Sequence, residues 1–187
     1  MKAVIKIITT LTIIGIVAGG SLSFVNNWAH PLIEANKKAE TEKAIFLVNP
    51  AGTSYEKSSA DEFDIYKVKD ETNTEIGYSL VYEGNGFQGK IRMMLGLSTD
   101  LKKITRYEIL EQSETPGLGT KILDDPFKKQ FTGLDAVPKV EWVKGKAPNK
   151  SNEIQTITGA TISSKAVVAI INSALEKARG LKEKGAL

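Results

Sequence analysis

Cysteine is absent from this chain of 187 residues, and histidine occurs once, at His30. The first absence excludes iron–sulfur clusters, thiolate ligation of haem and thiol redox chemistry. The second excludes a histidine-rich metal site. Charge of one sign is also scarce in excess: the formal net charge is +3, and no basic block carries interleaved aromatics. That excludes the electrostatic footprint of a nucleic-acid partner. If a chain of this composition moves electrons, it must do so through an organic cofactor. Apolar residues make up 41% of it, enough for a real core, and its length suits one ordinary domain plus an anchor or tail.

Asp, Glu, Lys and Arg are all missing from residues 7–33, and residues 7–25 are rich in Ile, Leu, Val, Ala and Gly. A helix needs roughly 20 such residues to cross a bilayer. Thr9, Thr10 and Thr12 can return their hydroxyls to the helix backbone, which makes them cheap to bury. Lys2 and Lys6 precede the run and the next Lys is Lys37. The positive-inside rule then predicts a cytoplasmic N-terminus and an exported remainder. Trp28 falls where an interfacial aromatic belongs. The alternative is a cleaved signal peptide, with Ala18, Gly19, Gly20 and Ser21 as cleavage region. The apolar run, however, continues past them through Leu22, Phe24 and Val25. Both readings export the domain.

Residues 33–44 read as a charged connecting helix, ended by the turn signal Asn49-Pro50-Ala51-Gly52. Strand character follows at 63–68, 77–83, 90–98 and 104–110. Tyr78, Leu80 and Tyr82 share one face, as do Ile91, Met93, Leu95 and Leu97. Strands joined by short turns predict an antiparallel meander. Residues 124–131 predict a short helix burying Phe127 and Phe131, and 140–143 a strand with Trp142 as core anchor. The clearest helix covers 163–179, where Val167, Ile170, Ile171, Ala174, Leu175 and Ala178 fall on one face and Gly180 can stop it. The expected class is α+β: an N-terminal transmembrane helix, then one domain with a mainly antiparallel sheet and packed helices. The expected division is an anchor over 1–28, a connecting helix or linker over 29–50, and an extracytoplasmic domain over 51–187.

Three motifs carry the chemistry. Gly84-Asn85-Gly86-Phe87-Gln88-Gly89 matches the dinucleotide fingerprint letter for letter, but a strand pattern follows it where that fingerprint needs a helix. A hairpin with glycines at positive φ is the better reading. Glu114-Thr115-Pro116-Gly117-Leu118-Gly119 contains a type II turn signal. It is either a plain turn or a loop whose glycines let the backbone approach a flat ligand, with Thr115 on the ring edge and Leu118 on its face. Thr158-Gly159-Ala160-Thr161 stands just before the last helix. Thr161 is either its N-cap or the holder of a phosphate at the helix N-terminus, with Ser163 and Ser164 as added donors. Ser164 beside Lys165 suggests a serine–lysine hydrolase, but neighbours in a helix point in different directions.

Taken together, 77–104 (GYSLVYEGNGFQGKIRMMLGLSTDLKKI), 108–122 (EILEQSETPGLGTKI) and 158–167 (TGATISSKAV) resemble the FMN-binding domain family, in the order the family has them. A short chain with one anchor looks most like the G-type subunit of Rnf electron-transport complexes, with the C-type subunit of the sodium-translocating NADH:quinone reductase as a relative. The resemblance implies FMN joined through its phosphate to Thr161, by an ApbE-type flavin transferase using FAD outside the cytoplasm. It implies flavin contacts for Glu114, Thr115, Leu118 and Gly119 beside Thr158, Gly159, Ala160, Ser163 and Ser164. It implies no catalytic residue, no metal, and as partners the lipid bilayer and the membrane and peripheral subunits of the complex. The sequence departs from the family at Gln155, where relatives carry Asp, with Glu153 close but out of register, and at Gln112, where they often carry His.

The implied function is an electron-transfer subunit of an ion-translocating ferredoxin:NAD+ oxidoreductase, without activity of its own. The alternatives are a cofactor-free assembly subunit in which Thr161 only caps a helix, a subunit of the related quinone reductase, and a stand-alone exported flavoprotein.

Overall fold

A computed structural model describes residues 1–58, 63–185 and 187. The chain divides into two compact units, Met1–Glu40 and Thr41–Leu187. Apart from Met1, the first unit is helical and lies within α1 (Lys2–Val48). The anchor and the connecting segment, separate stretches in the sequence, thus belong to one helix, which contains Pro31. It is long and apolar enough to cross a membrane. Its side chains from Ile5 to Val25 are exposed, as those of a helix meeting lipid are. Thr10 Oγ1 donates to the Lys6 carbonyl at 2.9 Å, so that hydroxyl is satisfied within the helix.

The second unit is built on a five-stranded antiparallel meander, β1 (Ser54–Ser58), β2 (Ile65–Lys69), β3 (Glu75–Asn85), β4 (Lys90–Ser98) and β5 (Ile104–Gln112), in chain order across the sheet. Its two faces bury different sets, as the alternation along β3 and β4 requires. One face carries Tyr78, Leu80, Ile91, Met93, Leu95 and Leu97 against Val167, Ile170, Ile171, Ala174 and Leu175 of α3 (Thr161–Glu183). The other carries Tyr66, Val68, Val81 and Met94 against Ala44, Ile45 and Val48, the last turns of α1. β1 lies outside the strands expected from the sequence because its side chains are mostly exposed and give no alternation.

The C-terminal carbonyls of α1 have no partners within a helix. Ser79 Oγ donates to Ile45 O at 3.2 Å and Thr105 Oγ1 to Val48 O at 2.7 Å. Asn49 Nδ2 donates to Ser79 Oγ at 2.8 Å and to Tyr78 O at 3.1 Å. Gly96 leaves the room for this, since a Cβ there would stand 2.6 Å from Val48 O.

Between β5 and α3 the chain forms a 3-10 turn (Gly119–Leu123), α2 (Asp125–Lys128), a second 3-10 turn (Lys129–Phe131), β6 (Glu141–Val143) and β7 (Glu153–Gln155). β6 and β7 pair in parallel across the loop 144–152. Phe127 and Phe131 are buried as expected, but Trp142 is not a core anchor. It is 40% exposed, because alternation along β6 turns it away from the buried Val143. Lys165 Nζ lies 3.8 Å from its ring centroid, a cation–π contact in place of packing. Gly180 does not stop α3 either. The helix runs through it to Glu183, and Gly185, at φ +69, supplies the left-handed residue that ends it, with its N–H on Lys182 O at 3.0 Å.

Three buried phenols, Tyr66, Tyr78 and Tyr107, set an alkaline limit on this fold. Burial, and then the Glu75 carboxylate, push Tyr78 up to about 12, and burial with Glu108 nearby pushes Tyr107 up as well. A raised folded-state pKa means the protonated phenol is the form that favours the fold. Its contribution is whole below the ordinary value near 10 and is lost as pH rises through the folded value. Denaturant unfolding at successive pH values between about 9 and 12 is expected to show stability falling in that window. Tyr78→Phe is expected to flatten the fall.

Candidate functional site

The hairpin joining β3 and β4 is the first wall of the site. It is a hairpin, as its strand pattern predicts, with Gly86 N–H donating to Gly89 O at 2.7 Å. Its glycines are not there for positive φ, which none of the three has. They are there for close approach: a Cβ at Gly84 would stand 2.5 Å from Ile170 Cγ1, and one at Gly86 would stand 2.3 Å from Glu114 Oε1.

The loop after β5 is the second wall. Leu118 N–H reaches Thr115 O at 3.2 Å across Pro116 and Gly117, and Gly117 takes φ +72, so the type II turn is present. Glu114, at its start, is only 4% exposed. Its Oε1 accepts the backbone N–H of Phe87 at 2.8 Å and of Gln88 at 3.1 Å, and its Oε2 accepts the Ser163 hydroxyl. Its own N–H donates to Gln112 Oε1 at 2.6 Å, so the glutamine has a defined task at that position. Thr115 Oγ1 meets Gln88 Oε1 at 3.0 Å, a second tie between the two walls.

The third wall is the entrance to α3. Thr161 is the first helical residue, half-buried, and the cap position belongs to Ala160, which has no hydroxyl. The capping role open to Thr161 is therefore not the one it plays. Among the described residues no protein acceptor meets the N–H groups of Thr161, Ile162 or Ser163, whereas Ser164 N–H reaches Ala160 O at 3.0 Å. Three free amides at the positive end of a helix suit an anion. Gly159, at φ +85, makes the turn, and a Cβ there would meet Leu118 Cδ2 at 3.4 Å. The exposed Leu118 thus lies against the turn that carries Thr161.

The structure brings Glu114, Gly119 and Ser163 together, and Leu118 with Gly159. Thr158 and Gly159 are exposed, and Ala160 is buried. The serine hydroxyls, expected as phosphate donors, spend their single protons elsewhere. Ser163 donates to Glu114, and Ser164 donates to Ala160 O at 2.9 Å while accepting Ile157 N–H at 3.0 Å. They shape the turn, and the anion is left to the backbone. Upstream, Gln155 is held by its backbone: its N–H donates to Gln130 Oε1 at 2.7 Å and its carbonyl accepts Gln130 Nε2 at 3.2 Å, with its side chain exposed. Glu153 is occupied in its own loop. The Asn149 N–H at 3.0 Å, and then Lys150, hold its carboxyl below the usual range.

The hairpin amides of Phe87 and Gln88 are the part of the site that sequence reasoning missed. No sequence signal announces them, because a backbone donor has no letter. The residues fit an FMN in donor chemistry: free helical amides for the phosphate, an accessible hydroxyl to bear it, and exposed Phe87, Leu118 and Ile162 on the three walls.

The FMN-binding domain family matches residues 86–176 of the chain. The G-type subunit of an ion-translocating oxidoreductase complex of Methanosarcina acetivorans is 28% identical over 183 residues, covering 94% of each protein. The G-type subunit of the Na(+)-translocating ferredoxin:NAD(+) oxidoreductase complex of Acetobacterium woodii is 30% identical over 200 aligned positions, covering 97% of this chain and 95% of that one. Among solved structures, the C-type subunit of the Na(+)-translocating NADH-quinone reductase from Parabacteroides distasonis aligns with TM-score 0.59 at 20% identity, over 75% of this chain and 91% of that one. The last likeness establishes the fold.

Proposed function

The chain belongs to the FMN-binding domain family, and from that premise we propose that it is a membrane-anchored electron-transfer subunit carrying FMN on Thr161. Its complex is of the Rnf type, an ion-translocating ferredoxin:NAD+ oxidoreductase. The observation that carries the site assignment is the uncapped start of α3, where Thr161 is followed by first-turn amides that meet no protein acceptor.

FMN, when bound, supplies one-electron transfer between neighbouring centres. The protein's part is to hold it. Thr161 Oγ forms the bond to the FMN phosphorus and loses its proton, while the phosphoanhydride of the donor FAD breaks and AMP leaves. An exported flavin transferase makes that bond. The amides of Thr161, Ile162 and Ser163 and the helix dipole stabilise the negative charge of the resulting phosphodiester. Gly159 lets Leu118 lie against the turn, and Leu118 offers an apolar surface there. The chain makes and breaks no substrate bonds of its own.

Residues 1–28 form the anchor, with the N-terminus in the cytoplasm, a reading that Lys2 and Lys6 support. Residues 29–50 connect it to an exported domain over 51–187, and the other membrane and peripheral subunits of the complex are its partners.

Intact mass of the chain purified from its native membranes tests the reading. The expected mass exceeds that of the sequence by one FMN less one water, localised to the peptide containing Thr161, with a fluorescent band after denaturing electrophoresis. An unmodified mass from cells that possess the transferase would overturn it in favour of a cofactor-free assembly protein.

A further inference from the structure

We propose that Glu114 is the positioning residue of the flavin site: it joins the β3–β4 hairpin, the 114–119 loop and the first turn of α3 into one frame around Thr161. The inference rests on the covalent-flavin reading above and concerns a residue that acts through others.

A carboxylate has about four acceptor sites. Three donors from two other segments occupy those of Glu114: Phe87 N–H, Gln88 N–H and the Ser163 hydroxyl. Its burial leaves little room for water to take their place. Two glycines make the space for it. A Cβ on Gly86 would stand 2.3 Å from Oε1, and a Cβ on Gly119 would stand 2.9 Å from Oε2 and 2.9 Å from Ser163 Oγ. The hairpin glycine and the loop glycine, distant in sequence, thus serve one carboxylate.

The connection to Thr161 runs through Ser163. That residue is two positions after Thr161 and in the same first turn, and its N–H is one of the three free amides. Tying its hydroxyl to a buried acceptor fixes the rotation of the turn, and with it the direction of those amides and of Thr161 Oγ. The negative end of the tie also faces the positive end of the helix dipole, which favours the arrangement. The same carboxylate ties the hairpin that carries the exposed Phe87 to the start of the loop that carries the exposed Leu118.

The test uses the full chain produced together with a flavin transferase. Glu114→Ala, Glu114→Gln and Ser163→Ala are compared with wild type for rate of covalent flavin incorporation, visible spectrum of the attached flavin, and melting temperature. A displacement on the order of 1 Å costs such transfers about 100-fold, so Glu114→Ala is expected to slow incorporation by about ten- to a hundredfold. Glu114→Gln is expected to restore most of it, because its amide oxygen can accept the two hairpin N–H groups and its nitrogen can donate to Ser163 Oγ. Ser163→Ala leaves the hairpin grip intact, so it covers the case in which Glu114→Ala does not fold. It is expected to slow incorporation and shift the flavin spectrum, with only a modest drop in melting temperature from the donor that Oε2 loses. Wild-type rates and spectra in Glu114→Ala or Ser163→Ala overturn the inference, as does a Glu114→Gln form no better than Glu114→Ala. An unmodified wild-type chain instead overturns the flavin reading itself, and this inference with it.

Discussion

Thr161→Ala yields a chain that folds and reaches the membrane but carries no flavin that survives denaturation. The loss is expected to be complete, because one oxygen bears the whole linkage and alanine has none. The cost to the fold is expected to be small. Thr161 is not the cap of α3, and no hydrogen bond of its hydroxyl to the protein is seen among the described residues. Alanine is also the better helix former by a few tenths of a kcal/mol. The residues that bind α3 to the sheet, Val167, Ile170 and Ile171, lie beyond the substitution. A melting point close to wild type with no in-gel fluorescence is therefore the expected pair of results. Thr158→Ala separates the two threonines of the motif: the Thr161 hydroxyl remains, so flavin that survives denaturation is expected to be present, even where loss of Thr158 slows its attachment. A Thr161→Ala chain that kept its flavin through denaturing electrophoresis would sink the assignment. If the variant still co-purifies with a complete but inactive complex, the assembly-protein reading loses its support as well.

The legible parts of this protein are those whose physics repeats. The pattern of β4 predicts its observed bounds, because Ile91, Met93, Leu95 and Leu97 alternate without interruption over one buried face. α3 is legible from its apolar stripe and the α1 apolar run from its missing charges. Elements without a period are not. β7 spans Glu153–Gln155, too short to show alternation, and it pairs with β6 through a register that no local pattern encodes. The site divides the same way. The Thr158–Thr161 motif and the turn at Pro116-Gly117 are written in letters that local backbone geometry demands. Glu114 is named as a contact only by the family resemblance, and its neighbours, two hairpin amides and a serine 49 positions away, are set by tertiary closure. The hairpin glycines are instructive because the strand pattern after them correctly predicts a hairpin, whereas their letters match a dinucleotide fingerprint and wrongly suggest positive φ. A glycine demanded by a neighbour's side chain looks the same in sequence as one demanded by its own dihedral angles.

Phe131→Ala is expected to cause the largest loss of stability, and to do so while sparing the linkage chemistry. Phe131 is fully buried, with its ring 4.8 Å from that of Tyr107 and 5.3 Å from that of Phe127, both edge-on. Truncating such a residue costs about 3–5 kcal/mol, a large share of the roughly 5–15 kcal/mol that holds a domain folded. For a domain of this size each kcal/mol moves the midpoint by about 2–4 °C, so a drop on the order of 10 °C is expected in thermal melts. Tyr107 separates this effect from the site's own. Its hydroxyl donates to Ile122 O at 2.8 Å, anchoring the 3-10 turn that continues the 114–119 loop. Tyr107→Phe keeps the ring that Phe131 packs on and removes only that anchor, at a cost of about 1 kcal/mol. It is expected to melt near wild type and yet alter the spectrum of the attached flavin, since the loop carrying Leu118 loses its hold. Phe131→Ala below its melting point is expected to do the reverse, with a normal spectrum on a fragile fold. If both variants instead change stability and spectrum in proportion, the aromatic cluster and the loop are one cooperative unit, and the loop has no separate anchor.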